Sequence, residues 1–160
     1  MEKAVLLLGS NLGDSLEILH KALSLIVERI GKVEKISEIY QSKPWGFEHK
    51  NDFLNQVIVV NTTKSPANLL SSILEIEHEM GRIRIGHVYM ARIIDIDILY
   101  YNEKVLNLEN LKIPHPLLHK RKFTLIPLVE ILPEFIHPIF QKTNLELLEG
   151  CTDNSEILKR

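Results

Sequence analysis

Cysteine is nearly missing from this 160-residue chain, where Cys151 stands alone. That excludes an intrachain disulfide framework and a Cys-rich zinc site, and it fits a reducing, cytoplasmic setting. Long apolar runs are lacking too: the N-terminal run, Ala4 to Leu8 ahead of Gly9, is too short for a signal-peptide core or a membrane span and reads as a buried first strand. Nor is there an excess of one charge. Nineteen basic against twenty-one acidic side chains give a formal net charge of -2, so no overall field draws the chain to nucleic acid or an anionic membrane. Any polyphosphate site must come from local clustering. Internal repeats and low-complexity tracts are absent, and with 45% hydrophobic residues the chain reads as one domain over residues 1–160. With no long exposed apolar segment to mark an interface, a monomer is expected.

What is present alternates between strand and helix patterns. Asp14 with Glu17 forms a capping box, after which Leu16, Leu19, Leu23, Ile26, Val27 and Ile30 recur at helical spacing until Gly31. Val33 to Tyr40 reads as a strand of imperfect alternation. Residues 41–52 hold a Pro, a Gly and several polar groups, a long loop before the β-rich run Phe53 to Val60. Ser65–Pro66 starts a second helix that carries Leu69, Leu70, Ile73, Glu77 and Met80 on one face and stops at Gly81. After 82–92, which follow neither period, Ile93 to Tyr100 alternate as a strand with Ile94, Ile96, Ile98 and Tyr100 facing the core. The order strand, helix, strand, strand, helix, strand predicts an α+β, ferredoxin-like (βαββαβ) antiparallel sheet with both helices on one face. The proline-rich remainder is expected as helical turns and loops laid over the sheet or its edge.

Chemistry concentrates in that last strand. Side chains two apart share a face, so Asp95 and Asp97 stand side by side with Cα atoms roughly 7 Å apart. From there two carboxylates can converge on a pair of magnesium ions, which take few protein ligands because water and substrate phosphates complete the shell. A solvated polar face of an edge strand is the plainer reading of Asp-x-Asp. Arginine placement tips the balance: of six arginines, Arg82, Arg84, Arg92 and Arg121 bracket this strand, and guanidinium forks match phosphate oxygens. His115, between Pro114 and Pro116, can donate to a phosphate or rest on nearby backbone. A second cluster suits a flat heterocycle. Trp45 and Phe47 lie in the long loop, Phe53 and Asn55 share a strand face, and Phe123 follows Arg121. Aromatic faces stack planar ligands and an asparagine amide pairs with a ring edge, although Phe53 and Phe123 also suit ordinary core packing.

Six separate stretches in one order, GSNLGD at 9–14, Pro44 with Gly46, FLNQV at 53–57, Glu77 with GRIR at 81–84, ARIIDIDIL at 91–99 and IPHPLLHKRKF at 113–123, resemble the hydroxymethyldihydropterin pyrophosphokinases of folate biosynthesis. The resemblance implies transfer of pyrophosphate from ATP to 6-hydroxymethyl-7,8-dihydropterin, giving AMP. It implies two Mg2+ ions on Asp95 and Asp97, and Arg82 and Arg92 as the residues meeting transition-state charge. Glu77, Arg84, Ile98, Lys112, His115 and Arg121 would contact ATP, with Ile98 and Lys112 meeting the adenine through backbone groups. Ser42, Trp45, Phe53, Asn55 and Phe123 would hold the pterin. Residues 43–52 and 82–92 would be mobile loops closing over both substrates. The chain departs from the family pattern in carrying Tyr89, Met90 and Ala91 where Trp-Gly-Pro is frequent, and Phe53 where tyrosine is. Fold alone leaves a ligand sensor, an RNA-binding module and a nucleotidyl transferase open. A sensor has no need of arginine-ringed carboxylates, and an RNA module would show aromatics on a basic face.

Overall fold

The computed structural model describes residues 1–10, 15–42, 53–81 and 93–160, with the backbone alone of 84–85 and 88–89. The elements run β1 (Glu2–Ser10), α1 (Ser15–Arg29), β2 (Gly31–Ile36), β3 (Tyr40–Ser42), β4 (Phe53–Thr62), α2 (Pro66–Met80), β5 (Arg84–Ile85), β6 (Val88–Tyr89), β7 (Asp95–Tyr101), β8 (Leu106–Asn107) and β9 (Lys112–Ile113). A 3-10 turn (Leu118–Lys120), α3 (Lys122–Ile131), α4 (Asn144–Glu149) and β10 (Ile157–Lys159) complete the chain. The main sheet has the order β10-β3-β4-β1-β7, with β2 also on β4, and every pairing in it is antiparallel. This is the predicted βαββαβ arrangement. Around it lie two small two-stranded pairs, β5 with β6 and β8 with β9.

Strand alternation builds a core on each face. Ala4, Leu6 and Leu8 of β1, Leu54, Ile58 and Val60 of β4, and Ile96 and Ile98 of β7 pack under α1 and α2 with Leu19, Ile26, Leu69, Ile73 and Ile76. The opposite set, Val5, Leu7, Val57, Val59, Leu99 and Tyr100, packs with Leu125 and Leu128 of α3 and Leu147 of α4. Each fully buried Leu or Ile is worth about 1.5–3 kcal/mol, so the layers on both faces contribute to holding the sheet. The tail is therefore a second cover, with α3 capped at one end of the site described below.

Helix α2 follows its sequence signals. Ser65 Oγ accepts from Asn68 N at 3.2 Å, Pro66 occupies the first turn, and Gly81 N donates to Glu77 O. The capping box expected at Asp14 lies outside the described residues. Two strand expectations need correction. The strand expected over 33–40 is split into β2 and β3, because Ser37 takes the ladder's place: Val57 N donates to Ser37 Oγ at 3.0 Å, and Gln56 Nε2 donates to Ser37 O at 2.9 Å. Tyr100 was expected beside Ile98 under the helices; it lies in the other core. The β1–β7 register shifts, with Val5 opposite Tyr100 and Leu6 opposite Ile98. Leu99 is the extra residue of a bulge, so alternation restarts there and Leu99 and Tyr100 fall on one face.

Candidate active site

The register brings the two predicted clusters onto one face of the sheet. Gly9 of β1 pairs with Asn55 on one side and Asp95 on the other, and Leu7 pairs with Val57 and Asp97. Directly opposed residues share a face, so Asp95, Asp97, Gly9, Asn55 and Phe53 all lie on the α3 side, with Asn55 and Asp95 two strand spacings apart, about 10 Å. Gly9 is the floor between them. A Cβ there would stand 3.1 Å from Asn55 Oδ1, so the missing side chain keeps the space beside the amide open.

Asn55 is only 2% exposed, and its Nδ2 donates to Ser42 Oγ at 2.8 Å. A buried amide in which the donor end is already engaged has a fixed orientation, which suits recognition of one ring edge. Ser42 pairs with Phe53 across β3 and β4. Of the five residues expected around the pterin, Ser42, Phe53 and Asn55 are thus adjacent, and Phe123 belongs to the same-face core through α3. Trp45 lies outside the described residues.

On β7, Asp95 is exposed and Asp97 half-buried, just where the strand runs out from beneath the apolar cover. Glu77 is buried at 8% exposure, and its Oε2 accepts from Ile96 N, the amide between the two aspartates, at 2.8 Å. Because β7 is the edge strand, this carboxylate serves where a neighbouring strand's carbonyl would. A hydrogen bond to a charged acceptor is worth about 1.5–3 kcal/mol. Ser10 Oγ donates to Ile93 O at 2.6 Å and ties the approach to the same strand.

Beyond Asp97, an open cleft of about 280 Å³ is lined by Asp97, Ile98, Lys112, His115, Leu70 and Leu111. Three residues expected at ATP, Ile98, Lys112 and His115, therefore share one hollow with a predicted metal ligand. His115 Nδ1 accepts from Leu117 N at 3.1 Å, which leaves the proton on Nε2. Burial, with the Arg121 charge second, pushes the imidazole down to about 4, so at neutral pH it is an uncharged donor. Arg121 is pulled below its ordinary value by burial and back up by the Asp97 carboxylate, an opposition that only a nearby Asp97 can supply. The Arg121 guanidinium also lies over the Phe123 ring, 5.6 Å from its centroid, so one side chain links a residue expected at the pterin to the Asp97 carboxylate. Arg82, Arg92 and the side chain of Arg84 lie outside the described residues, as do 43–52. Of 82–92 only the backbone pairing of Arg84 with Tyr89 and Ile85 with Val88 is described. A larger hollow of about 520 Å³, lined by Lys3, Val5, Val59, Asn102, Leu132 and Phe135 among others, opens at the far end of the same face and holds none of the predicted residues.

Residues 5–133 match the family model described as 7,8-dihydro-6-hydroxymethylpterin-pyrophosphokinase (HPPK). The chain belongs to this family. It is 45% identical over 135 residues to the 2-amino-4-hydroxy-6-hydroxymethyldihydropteridine pyrophosphokinase of Aquifex aeolicus, covering 84% of this chain and 83% of that one. To the enzyme of the same name from Haemophilus influenzae it is 37% identical over 158 residues, covering 98% of each. Among solved structures, a Plasmodium falciparum HPPK-DHPS triple mutant superposes with a TM-score of 0.78 at 20% identity, covering 93% of this chain and 43% of that one. The wild-type protein gives 0.75 at 20% identity, with 93% and 44% covered. The chain thus spans less than half of those solved chains, and the likeness to them concerns the fold.

In the sequence, Gly9 and Ser10 stand out only as part of a motif, and the family resemblance implies a place for Glu77 near the nucleotide. Gly9 as floor, Ser10 as tether and Glu77 as backbone acceptor emerge only from register. The signal in the sequence for Glu77 was an acidic residue on the apolar face of α2, a position that calls for a buried donor.

Proposed function

We propose that this pyrophosphokinase takes ATP as donor and 6-hydroxymethyl-7,8-dihydropterin as acceptor, with two Mg2+ ions held at Asp95 and Asp97. The single observation behind this reading is the row Asn55–Gly9–Asp95 with the Asp97 cleft beside it. A ring-recognising amide and a nucleotide-sized hollow flank one carboxylate pair. The donor set fits the ion: hard carboxylate oxygens on an open strand end suit Mg2+, which keeps water and phosphate ligands. Bound there, Mg2+ would supply charge neutralisation on the polyphosphate oxygens.

In the proposed step the pterin hydroxymethyl oxygen forms a bond to the β-phosphorus of ATP. The bond from that phosphorus to the α–β bridging oxygen breaks. AMP leaves with the bridging oxygen, and the hydroxyl proton passes to solvent. Asn55 and Phe53 orient the ring, so that the hydroxymethyl group points over Gly9 toward Asp95. Arg121 and His115 Nε2 donate to phosphate oxygens as charge shifts toward the leaving group, with Arg82 and Arg92 assigned the same task. One well-aimed donor is worth about 3 kcal/mol. The substrates and the lone Cys151 fit a cytoplasmic enzyme, and among the described residues no helix is long and apolar enough to cross a membrane.

The test is to follow ATP with and without the pterin. AMP and a pterin diphosphate are expected only when both substrates and Mg2+ are present, and Asp97→Ala should abolish their formation while leaving the folded spectrum unchanged. Release of pyrophosphate would instead identify nucleotidyl transfer, and ATP left intact would identify a binding protein.

A further inference from the structure

The segment after α4 lies beyond residues 5–133 that define the family match, yet it is fastened at two points that belong to the site. The first is the start of α3. Arg121, the N-cap residue, supplies no side-chain cap to that helix. The missing acceptor comes from far along the chain, where Asp153 Oδ2 takes the Lys122 N–H at 3.0 Å. Asp153 Oδ1 in turn accepts from Ser155 N at 2.9 Å and from Ser155 Oγ, which fixes the carboxylate. A carboxylate at a helix N-terminus meets both free N–H groups and the positive end of the helix dipole. The next residue of α3 is Phe123, and the residue before it is Arg121.

The second fastening is β10. Ile157 pairs with Ser42, Leu158 with Gln41 and Lys159 with Tyr40, and Arg160 N donates to Ile39 O at 2.8 Å. Hydrogen-bonded and non-bonded pairs alternate in an antiparallel ladder. Counting back from Arg160, Leu158 and Gln41 form the bonded pair. Ser42, whose hydroxyl orients Asn55, would otherwise sit on a three-residue edge strand next to residues 43–52.

We propose that residues 151–160 are a strap that positions both walls of the pterin site, Asp153 holding the Phe123 wall and β10 the Ser42 wall. The inference rests on the assignment of Ser42, Phe53, Asn55 and Phe123 to the pterin. Asp153 is a positioning residue, since it acts through Lys122 and touches no reacting atom. The nucleotide cleft is carried by β7 and β9, across the sheet from β10, so the β10 fastening should govern the pterin and spare ATP, whereas Asp153 holds the helix start next to Arg121 and reaches the phosphates as well.

Three full-length variants test it: Asp153→Ala, Asp153→Asn, which keeps one acceptor oxygen, and Leu158→Pro, which removes a ladder donor while its side chain is 53% exposed. Binding of 6-hydroxymethylpterin is read from the ligand's own fluorescence, ATP binding by calorimetry, and exchange of the 40–42 and 122–125 amides by mass spectrometry. Asp153→Ala and Leu158→Pro should each weaken pterin binding about tenfold, the factor for loss of one positioning hydrogen bond. Asp153→Asn should stay within about threefold, and ATP affinity should change less than about twofold in Leu158→Pro. Pterin affinity unchanged in both Asp153→Ala and Leu158→Pro overturns the strap, as does an equal loss of both substrates in Leu158→Pro. A variant that does not fold leaves the other fastening to decide. If the unmodified protein fails to bind the pterin, the site assignment falls instead, and the exchange data still report whether the fastenings hold.

Discussion

Exchanging Glu77 for Gln and for Leu separates two roles that a single substitution would merge. Both changes remove a buried negative charge, and both preserve bulk within α2. Only leucine removes the oxygen that accepts from Ile96 N at 2.8 Å. Comparison of the two variants therefore isolates the hydrogen bond from the cost of burying a carboxylate, which on its own makes the sign of either substitution against the parent ambiguous. A buried N–H left without a partner costs about 1–3 kcal/mol, which for a chain of this size is a melting difference of roughly 3–10 °C between Gln and Leu. The larger effect is on chemistry. Ile96 lies between Asp95 and Asp97, so freeing its amide lets the edge strand shift both carboxylates. A displacement of about 1 Å at reacting groups lowers turnover about a hundredfold. Calorimetric unfolding and steady-state AMP formation give both readouts, with Gln expected within about fivefold of the parent and Leu about a hundredfold below it. Equal turnover in the Gln and Leu variants would refute the positioning role. Loss of ATP affinity in both, with the Ile96 amide shift unchanged in NMR spectra, would return Glu77 to direct nucleotide contact.

Gly9→Ala places a methyl 3.1 Å from Asn55 Oδ1, and the amide cannot yield without stretching its bond to Ser42. Pterin KM should rise about tenfold with ATP KM unchanged, a loss near one hydrogen bond; unaltered pterin KM would show that the floor is not part of the site. Acid should weaken the fold from about pH 6.5 downward. His115 and His137 are both pushed down to about 4, by burial first and by a neighbouring positive or imidazole group second. As pH falls below about 6.5 the unfolded chain takes protons that the folded rings refuse, so stability is full above that value and drains toward pH 4, by roughly 3 kcal/mol at most for each ring. Asp153, whose value is lowered, contributes stability that is lost only below this window. Urea unfolding at steps from pH 7 to pH 4.5 reads the slope, and a flat profile would contradict it.

Local signals survived folding where neighbours in sequence decide the outcome. The Ser65 cap, Pro66 and Gly81 bound α2 as their chemistry requires, and the period of two put Asp95 and Asp97 on one face. The aspartates, Asn55 and Phe53 were thus legible as side chains sharing strand faces. What was illegible depends on partners far along the chain. Ser37 interrupts a strand because Gln56 and Val57 meet it across the sheet, and nothing between residues 33 and 40 announces that. Gly9 reads as one small residue in a motif until the register sets it between Asn55 and Asp95. Asp153 reads as a polar residue in a tail until α3 presents an uncapped N–H. In each case the information resides in which residues oppose each other, and alternation along one strand does not carry it.

The bulge at Leu99 explains how a single strand presents two aspartates at one end and packs into the core at the other. Along β7 the α3-side residues run from exposed Asp95 through half-buried Asp97 to Leu99 at 1% and Tyr100 at 0%. Without the extra residue, Tyr100 would turn toward α1 and α2. Its hydroxyl would then lose Asn144 Oδ1, to which it donates at 2.6 Å, and its ring would lose Phe135, 4.5 Å away between centroids. With the bulge, two consecutive side chains, Leu99 and Tyr100, anchor the strand to the α3 and α4 layer two and three residues beyond Asp97. The His115 N–H, donating to Leu99 O at 3.0 Å, joins the cleft wall to the same point. The carboxylates thus stand at the open end of a strand that is held between them by Glu77, through the Ile96 N–H, and just beyond them by His115 at Leu99 and by Tyr100 in the α3 and α4 layer. On the proposed function, that arrangement would hold the two carboxylates side by side where Mg2+ would bind, before the ion and its polyphosphate arrive.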